Sequence, residues 1–599
     1  MAFPKLRVPY VSRQTVDVFS GYNHNLRIGD GEFYDMKNLT SDDYPVLSAR
    51  GQRGLYTVGN PNAPAALIAK DSLCYVDGED FVINGYRVNM ELSVSDKPKQ
   101  LVSMGAYVII LPDKKWVNTL RATEDDDKKW GYIEAKYVLN GQMTFSICKQ
   151  DGSGYDSLQK TEPDNPEDGE LWLNDAVTPN VLQQWSASSK MWVQIATTYV
   201  KIAADRIDEY FELYDGIEIS GLDGPLKVGK AEEHKVGELA ELNGAAVVWE
   251  KGEGYIVVVG ILANSWTVTS TDKCKITVSR KMPDLDFVIE CGNRLWGCQY
   301  GTAANGEVVN EIYSSKLGDF KNWSCFMGIS TDSWVGQVGT DGPFTGAISY
   351  LGQPLFFKEN HLHKVYISTT AAHQLADTPC QGVQRGSERS LCLVGNTVFY
   401  KGRSGVCAYD GSLPVEISQA LGTVRYENAV AGAIGSKYYI SMADTEGNTH
   451  LFVYDAGKGM WHKEDNLRVD CFCSCRGELY AISGGRIVAM LGSEEPAAEP
   501  VEWMAQTGII GLTTPDMKYV SRLILRLTLP QGSSLRVSAE YDSSGRWQQL
   551  FTIHGHGTQA FTLPVRPVRC DHIRLRLEGD GPMKLFSITK NIEQGSDVR

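Results

Sequence analysis

The side chains that could do chemistry are few, and their spacings argue against most of the obvious reactions. CFCSC at 471–475 sets Cys471, Cys473 and Cys475 at alternate positions, on one face of a strand. Structural zinc sites use turn-borne C-x2-C pairs with a second pair beyond. None follows, so a buried thiol face is expected. HLH at 361–363 and HGH at 554–556 could each pair two imidazoles. No carboxylate stands beside either at ligand spacing, so ordinary strand or turn histidines are expected. DDD at 125–127 lacks the spaced oxygens and glycine bend of a calcium loop and reads as a solvated turn. GPLKVGKAEE at 224–233 lacks the phosphate-loop spacing GxxxxGK[ST], and neither GxSxG nor HExxH occurs. No catalytic residue, metal or cofactor is therefore expected. A glycosidase would need two carboxylates about 5–10 Å apart, and no acidic residue is marked for that role by its context.

Two sets of residues could bind rather than react. Trp172, Trp185 and Trp192 recur within PDNPEDGELWLNDAVTPNVLQQWSASSKMWVQ. Exposed, their rings would stack on sugar. Buried, they would fill the wedge of a small β domain, which is the expectation because each indole removes a large apolar area from water. Arg566, Arg569, Arg574 and Arg576 form the one local basic cluster. Guanidinium forks suit carboxylates across a subunit contact.

The elements that must position these residues are strands. The 599 residues include 59 Gly, with 42% hydrophobic and 22% charged residues, a mix suited to large cores joined by tight turns. A net charge of −15 argues against a nucleic-acid reader. Thirteen scattered Cys suggest buried free thiols in a reducing compartment. No apolar run approaches a membrane span, and the first residues lack a signal-peptide core. Synthesis and folding in a cytoplasm are expected.

One unit recurs: a small apolar strand, a Gly-centred turn, then a strand rich in Tyr, Phe or Trp. It occupies 65–83, 287–301, 347–366, 390–411, 429–457 and 471–491, with a weaker copy at 101–118. From Ala347 the units begin at 347, 390, 429 and 471, spacings of 43, 39 and 42 residues. Four-stranded propeller blades repeat at about that length. A blade cannot bury both faces alone, so a radial stack follows. The chain thus reads as all-β: an anchor segment and first blades over 1–120, inserted β domains over 121–285, and the remaining blades over 286–492. A β-sandwich over 503–599 completes it. HIRLRL in that last part sets Ile573, Leu575 and Leu577 on one face and the arginines on the other.

DMKNLTSDDYPVLSARG at 35–51 resembles a motif near the start of bacteriophage virion proteins. Asn38, Tyr44, Pro45, Leu47 and Arg50 carry the match. PDLDFVIECGNRLWGC (283–298) is similar to that family's re-entry into its propeller, and SKLGDFKNWSCF (315–326) to its blade motif. The last hundred residues resemble its C-terminal sandwich. The likeness is to the tail nozzle proteins of short-tailed phages. It implies a structural virion protein assembled in the host cytoplasm as a homo-oligomeric ring, typically of six copies. Portal, adaptor and tail fibre proteins would be its neighbours, and DNA would pass through without being held. The alternative is a tail-tip or host-recognition protein whose insert binds cell-wall glycan. On the residues alone, Leu39, Tyr44, Val46 and Leu47 should anchor the opening segment to the body.

Overall fold

The structure is a computed structural model that describes residues 11–94, 98–124, 129–229, 233–303, 306–496, 500–513 and 516–594. The acidic run 125–127 lies outside the described residues. The protein is all-β, with a propeller, an inserted β region and a sandwich.

Seven sheets make the propeller. Their innermost strands are Pro64–Ala69, Gln100–Met104, Phe287–Glu290, Phe344–Tyr350, Cys392–Val394, Tyr426–Ile434 and Cys471–Cys475. The blades are numbered here in that order. Consecutive blades share apolar seams. Cys74 and Phe81 meet Val108 and Val117 between the first two blades, and Trp296 and Ile312 meet Phe356 and Val365 between the third and fourth. Tyr480 and Ile482 of the seventh meet Leu67 and Tyr75 of the first, which closes the ring. The chain also closes it by strand pairing. Gly54–Leu55, from before the first blade, pairs with Arg486–Ala489 of the last. Strands on both sides of the insertion therefore complete one circle.

The insertion starts later than position 121. Trp130–Tyr132 is the outermost strand of the second blade, paired with Lys115–Asn118, because Trp130 can still pack on the apolar face of that blade. Beyond it, Ala135–Val138, Thr277–Arg280, Gly216–Ser220 and Gly244–Val247 form one sheet of the insert, and a seven-stranded sheet lies against it. Both bury Phe145, Ile202, Ile219, Ile256 and Val278. A satellite sheet of Leu158–Gln159, Leu171–Asn174, Val181–Ser186 and Met191–Gln194 hangs from this body. The insert rests on the third blade where Gly216 meets the backbone of Ser324. A Cβ there would lie 2.2 Å from the Ser324 carbonyl. The Gly216 N–H donates to Asn322 Oδ1 at 3.0 Å, and Asn322 Nδ2 donates to the Tyr214 carbonyl at 2.6 Å.

The sandwich also differs from its expected limits. One sheet orders Leu39–Thr40, Leu47–Ala49, Lys584–Gln594, Lys518–Leu529 and Gly557–Leu563, with Val11–Val16 also on Lys584–Gln594. The other orders Gly21–Tyr22, Glu32–Lys37, Glu502–Thr507, Ile573–Asp580, Ser534–Tyr541 and Trp547–His554. Residues 11–49 are thus strands of the sandwich, not a preface to the first blade. The C-terminal strands alone would leave Leu523, Leu525 and Leu577 short of partners. Phe33, Met36, Leu39 and Leu47 complete their core. No helix among the described residues is long and apolar enough to cross a membrane.

Candidate functional site

The opening motif builds a joint. Asn38 is buried and takes φ 55°, a left-handed conformation that Asn tolerates. Its N–H donates to the Glu464 carbonyl at 2.7 Å, and its Nδ2 to the Glu502 carbonyl at 2.7 Å. Its Oδ1 accepts from Arg50 Nε at 2.9 Å. Sixth blade and sandwich therefore meet on one residue. Arg53 reaches Glu464 and Asp465 at 2.7 Å each, and Arg50 stands 3.6 Å from Glu464. Burial would push the Arg53 guanidinium down, but the two carboxylates hold it above its ordinary value. Burial would likewise raise Asp465, yet Arg53 and Arg50 keep its carboxyl below the usual range. Ser41 Oγ donates to Asp455 at 2.6 Å. Leu47 is buried in the sandwich core. Tyr44 is 43% exposed and so is no anchor. It precedes Pro45 through a cis peptide, and the Pro45 carbonyl accepts the Phe19 N–H at 3.2 Å.

The cysteine strand 471–475 is the inner strand of the seventh blade. Cys471, Cys473 and Cys475 all pack toward the first blade beside Leu67 and Tyr75. Burial pushes the Cys473 thiol up, which disfavours the thiolate a metal needs. Among the described residues no group of three or more His, Cys, Asp or Glu is placed to hold a metal ion. The histidine pair is less ordinary than its spacing implied. Asp377 on the neighbouring strand lies 2.9 Å from His361 Nδ1 and 3.6 Å from that of His363. Strand pairing supplies the carboxylate that linear distance hid. Burial pushes His363 down to about 4, and its Nε2 bonds Thr340 Oγ1 at 2.9 Å.

The four arginines do not form one patch. Arg574 and Arg576 lie on Ile573–Asp580, whereas Arg566 and Arg569 lie on the connection before it. Arg574 stands 3.8 Å from Glu540 and over the Tyr34 ring. Arg576 stacks on Trp547 at 3.9 Å and donates to Gln506 Oε1 at 2.9 Å. Both are engaged within the sandwich, so an arginine contact between subunits lacks its two strand-borne members.

A cavity of about 1350 Å³ opens at one mouth of the propeller channel, bordered by Gln100, Asp286, Arg389, Glu427 and Asp470. Three of these polar side chains serve the fold. Gln100 bridges the Asp286 carbonyl and the Val288 N–H at 2.6 and 3.2 Å. Asp286 accepts from the Tyr300 N–H at 2.9 Å, and Arg389 donates to the Asp470 carbonyl at 2.5 Å.

The tryptophans are brought together. Trp185 and Trp192 face each other across neighbouring strands. Ring centroids lie 5.4 Å apart for that pair and 5.5 Å for Trp172–Trp192, both edge to face. Leu173 and Leu182 fill the opposite face and are buried. The indoles themselves are half-buried, so they are not core wedges. Their N–H groups are held by the segment before the sheet: Trp172 donates to the Lys160 carbonyl and Trp192 to Glu162 Oε1, both at 3.2 Å. This fixes the rings and leaves their remaining surface free. Gln159 and Gln183 stand opposite Trp172 in register, and Gln194 opposite Gln183. Rigid aromatics interleaved with amides are the one surface of this kind that the sequence singled out.

No family model matches the chain, and neither does any curated protein. Among solved structures it is similar to an exo-beta-1,3-galactanase from Phanerochaete chrysosporium (8% identity, TM-score 0.21, 51% of this chain and 94% of that one). It is also similar to a GH43 glycoside hydrolase engineered for endo-xylanase and exo-arabinofuranosidase activity (10%, 0.19, 51% and 96%). A third match is Trypanosoma rangeli sialidase (9%, 0.19, 96% and 95%). The expected role as a tail nozzle and DNA conduit without catalysis is corrected here. The named matches process glycans, none is a tail protein, and that role is withdrawn. At these TM-scores the matches assign no activity in its place.

Proposed function

We propose that the protein recognises carbohydrate through the tryptophan face of residues 158–194. The observation that carries this reading is the half-buried cluster of Trp172, Trp185 and Trp192, locked edge to face and edged by Gln159, Gln183 and Gln194. An indole offers an apolar surface to the C–H face of a sugar ring. Neighbouring amides then supply donors and acceptors for its hydroxyls. The rings are already ordered, so binding spends little side-chain entropy on them. In the same reading, the resemblance to phage virion proteins puts oligomeric copies on a virion and the ligand on a host cell wall. That part rests on the resemblance alone.

Calorimetric titration of the full chain with cell-wall polysaccharide tests the reading. Saturable binding is expected, lost in Trp172→Ala together with Trp185→Ala. Absence of binding across neutral and charged glycans, with the insert folded, would sink it.

A further inference from the structure

In the sandwich, the turn between Ser534–Tyr541 and Trp547–His554 completes a series of hydroxyl, imidazole and carboxylate. Ser543 Oγ lies 2.7 Å from His572 Nε2, and His572 Nδ1 lies 3.0 Å from Asp571 Oδ2. An ionised carboxylate can only accept, so the neutral ring gives it the Nδ1 proton and keeps Nε2 to accept from the serine hydroxyl. The bond from His572 in turn holds the Asp571 carboxyl below its usual range. A hydroxyl on a base that a third group orients is the arrangement that activates a serine.

The surroundings hold the series in place. Asp542 Oδ1 accepts the N–H of Asp571 at 2.7 Å and that of His572 at 3.2 Å, and the Asp542 N–H donates to the His572 carbonyl at 3.1 Å. The segment with the base is thus tied to the turn with the hydroxyl. Asp542 and Ser543 take φ 53° and 49°, and the Ser544 N–H closes the turn on the Tyr541 carbonyl at 3.2 Å. Two successive non-glycine residues in the left-handed region are strained, a state that persists only where bonds around it enforce it. The Ser543 N–H is not the donor that closes this turn, and the nucleophile's own N–H is one that serves an oxyanion in serine hydrolases. Residues 542–546 are all exposed, so a substrate can reach Oγ. The series Thr340–His363–Asp377 differs on both counts. Asp377 stands 3.6 Å from His363 Nδ1 and bonds His361 instead, and His363 is buried.

We propose that Ser543 and His572, with Asp571 positioning the imidazole, hydrolyse short-chain esters. Ser543 Oγ attacks the ester carbonyl carbon, and its proton passes to His572 Nε2. The tetrahedral adduct collapses, its C–O bond to the alcohol breaks, and the alcohol leaves with that proton. Water then attacks the acyl-serine, gives a proton to Nε2 and releases the carboxylic acid, and Ser543 takes the proton back. The open turn has no wall to select a long acyl chain, which limits the substrate to small acyl groups such as acetyl. The site stands on the sandwich, apart from the tryptophan face, and does not depend on carbohydrate recognition.

The test uses the full chain and two probes. An alkyl fluorophosphonate reports the nucleophile, since an activated serine displaces its fluoride and keeps the phosphonyl group. Mass spectrometry of the digested wild type should place that group on Ser543. The second probe, p-nitrophenyl acetate, reports turnover. Ser543→Ala should abolish both signals. His572→Gln should slow labelling about a hundredfold, the lower end of what a general base contributes. Asp571→Asn should slow it at least about tenfold with the melting temperature unchanged, a split that a merely structural aspartate would not give. Ser544→Ala, one position along the same exposed turn, should label as wild type does. No label on Ser543 in the folded wild type overturns the proposal, whatever the variants do. So does label on Ser543 at an undiminished rate in His572→Gln, which would make it an ordinary surface serine. Acetate hydrolysis that persists in Ser543→Ala would belong to a surface imidazole and overturns it equally. Each of these results leaves the tryptophan face untouched.

Discussion

The joint at 38–53 and the tryptophan face at 158–194 are both dense clusters of conspicuous residues, and they are built in opposite ways. In the joint the charged and amide side chains are tied to distant parts of the chain, although Arg53 Nε and Ser48 Oγ stay without a partner. Asn38 serves the sixth blade and the sandwich at once, and Arg53 is closed by two carboxylates. In the tryptophan face the rings are half-buried, and Gln183 Oε1 goes unanswered. A cluster whose charges are buried and paired across the chain holds a fold together. One that leaves rigid aromatic surface in reach of solvent is prepared for something else. Conspicuous residues alone do not separate the two cases, but the burial and pairing of their charged and aromatic groups does.

The comparison breaks most directly at Arg53. Its side chain is 12% exposed and that of Glu464 is 6% exposed. Arg53→Ala would leave Glu464 and Asp465 buried with one fewer cation, a loss of about 3–5 kcal/mol for a broken buried pair. Urea denaturation should show that loss, with propeller and sandwich separating into two transitions. A shift below about 1 kcal/mol would mean the joint is ornamental. Carbohydrate binding should persist below the first transition.

Acidification attacks the same side of the comparison. His462, beside the joint on Met460–Lys463, is pushed down to about 3 by burial. The unfolded chain takes up a proton near pH 6.5 that the folded state refuses. Stability therefore falls as pH drops below 6.5, by about 1.4 kcal/mol per pH unit and about 2 kcal/mol by pH 5. Asp465, with its folded value lowered, contributes stability above the ordinary carboxylate range. That contribution is lost only as pH falls through the lowered value, so it is intact between pH 5 and 7. The melting temperature of the body should decline from pH 7 to pH 5, and His462→Gln should reduce the slope, leaving the share that the likewise lowered His363 contributes. A wild-type profile flat over this interval would show that His462 takes up its proton in the folded state.

On the other side, Trp192→Ala should cost about 1–3 kcal/mol, below the 3–5 kcal/mol typical of a fully buried aromatic. The loss should be confined to the insert, visible as faster proteolysis within 158–194 while the main unfolding transition stays in place. Global unfolding on this substitution would make the tryptophans core after all and remove the contrast with the joint.

Much of the fold was legible because its signals are local. Gly-centred turns and aromatic second strands marked all seven blades, and the alternation of Ile573, Leu575 and Leu577 marked a strand whose three apolar residues are all buried. What escaped was non-local or very short. Gly54–Leu55 closes the propeller with two residues, too few for any period to register. Val11–Val16 pairs with a strand more than five hundred positions away. Nothing local told strands of the sandwich from strands of a first blade. At the site, the sequence found the three tryptophans but not Gln183. Its place opposite Trp172 comes from strand register, and a glutamine in a polar strand carries no mark of that. Asp377 escaped for the same reason, since only strand pairing brings it to His361.

The smallest expected effect sharpens the comparison from outside both clusters. Arg576 lies over the Trp547 ring at 3.9 Å and bonds Gln506, on the outward face of the sandwich. It resembles the tryptophan face in combining an aromatic with a polar partner, and the joint in being satisfied within the chain. If engagement of the side chain within the chain is what separates scaffold from site, Arg576→Ala should behave as a mild scaffold change. A partly exposed cation–π contact and one side-chain hydrogen bond together give about 1 kcal/mol. Arg576→Lys should recover only part of it, because an ammonium cannot stack as a planar guanidinium does. Denaturation midpoints of the two variants would measure this, and titration with the glycan that wild type binds should give unchanged affinity in both. A loss of binding on Arg576→Ala with the midpoint unmoved would place the recognition surface on the sandwich instead, and the internally closed bonding of this arginine would then have hidden a site.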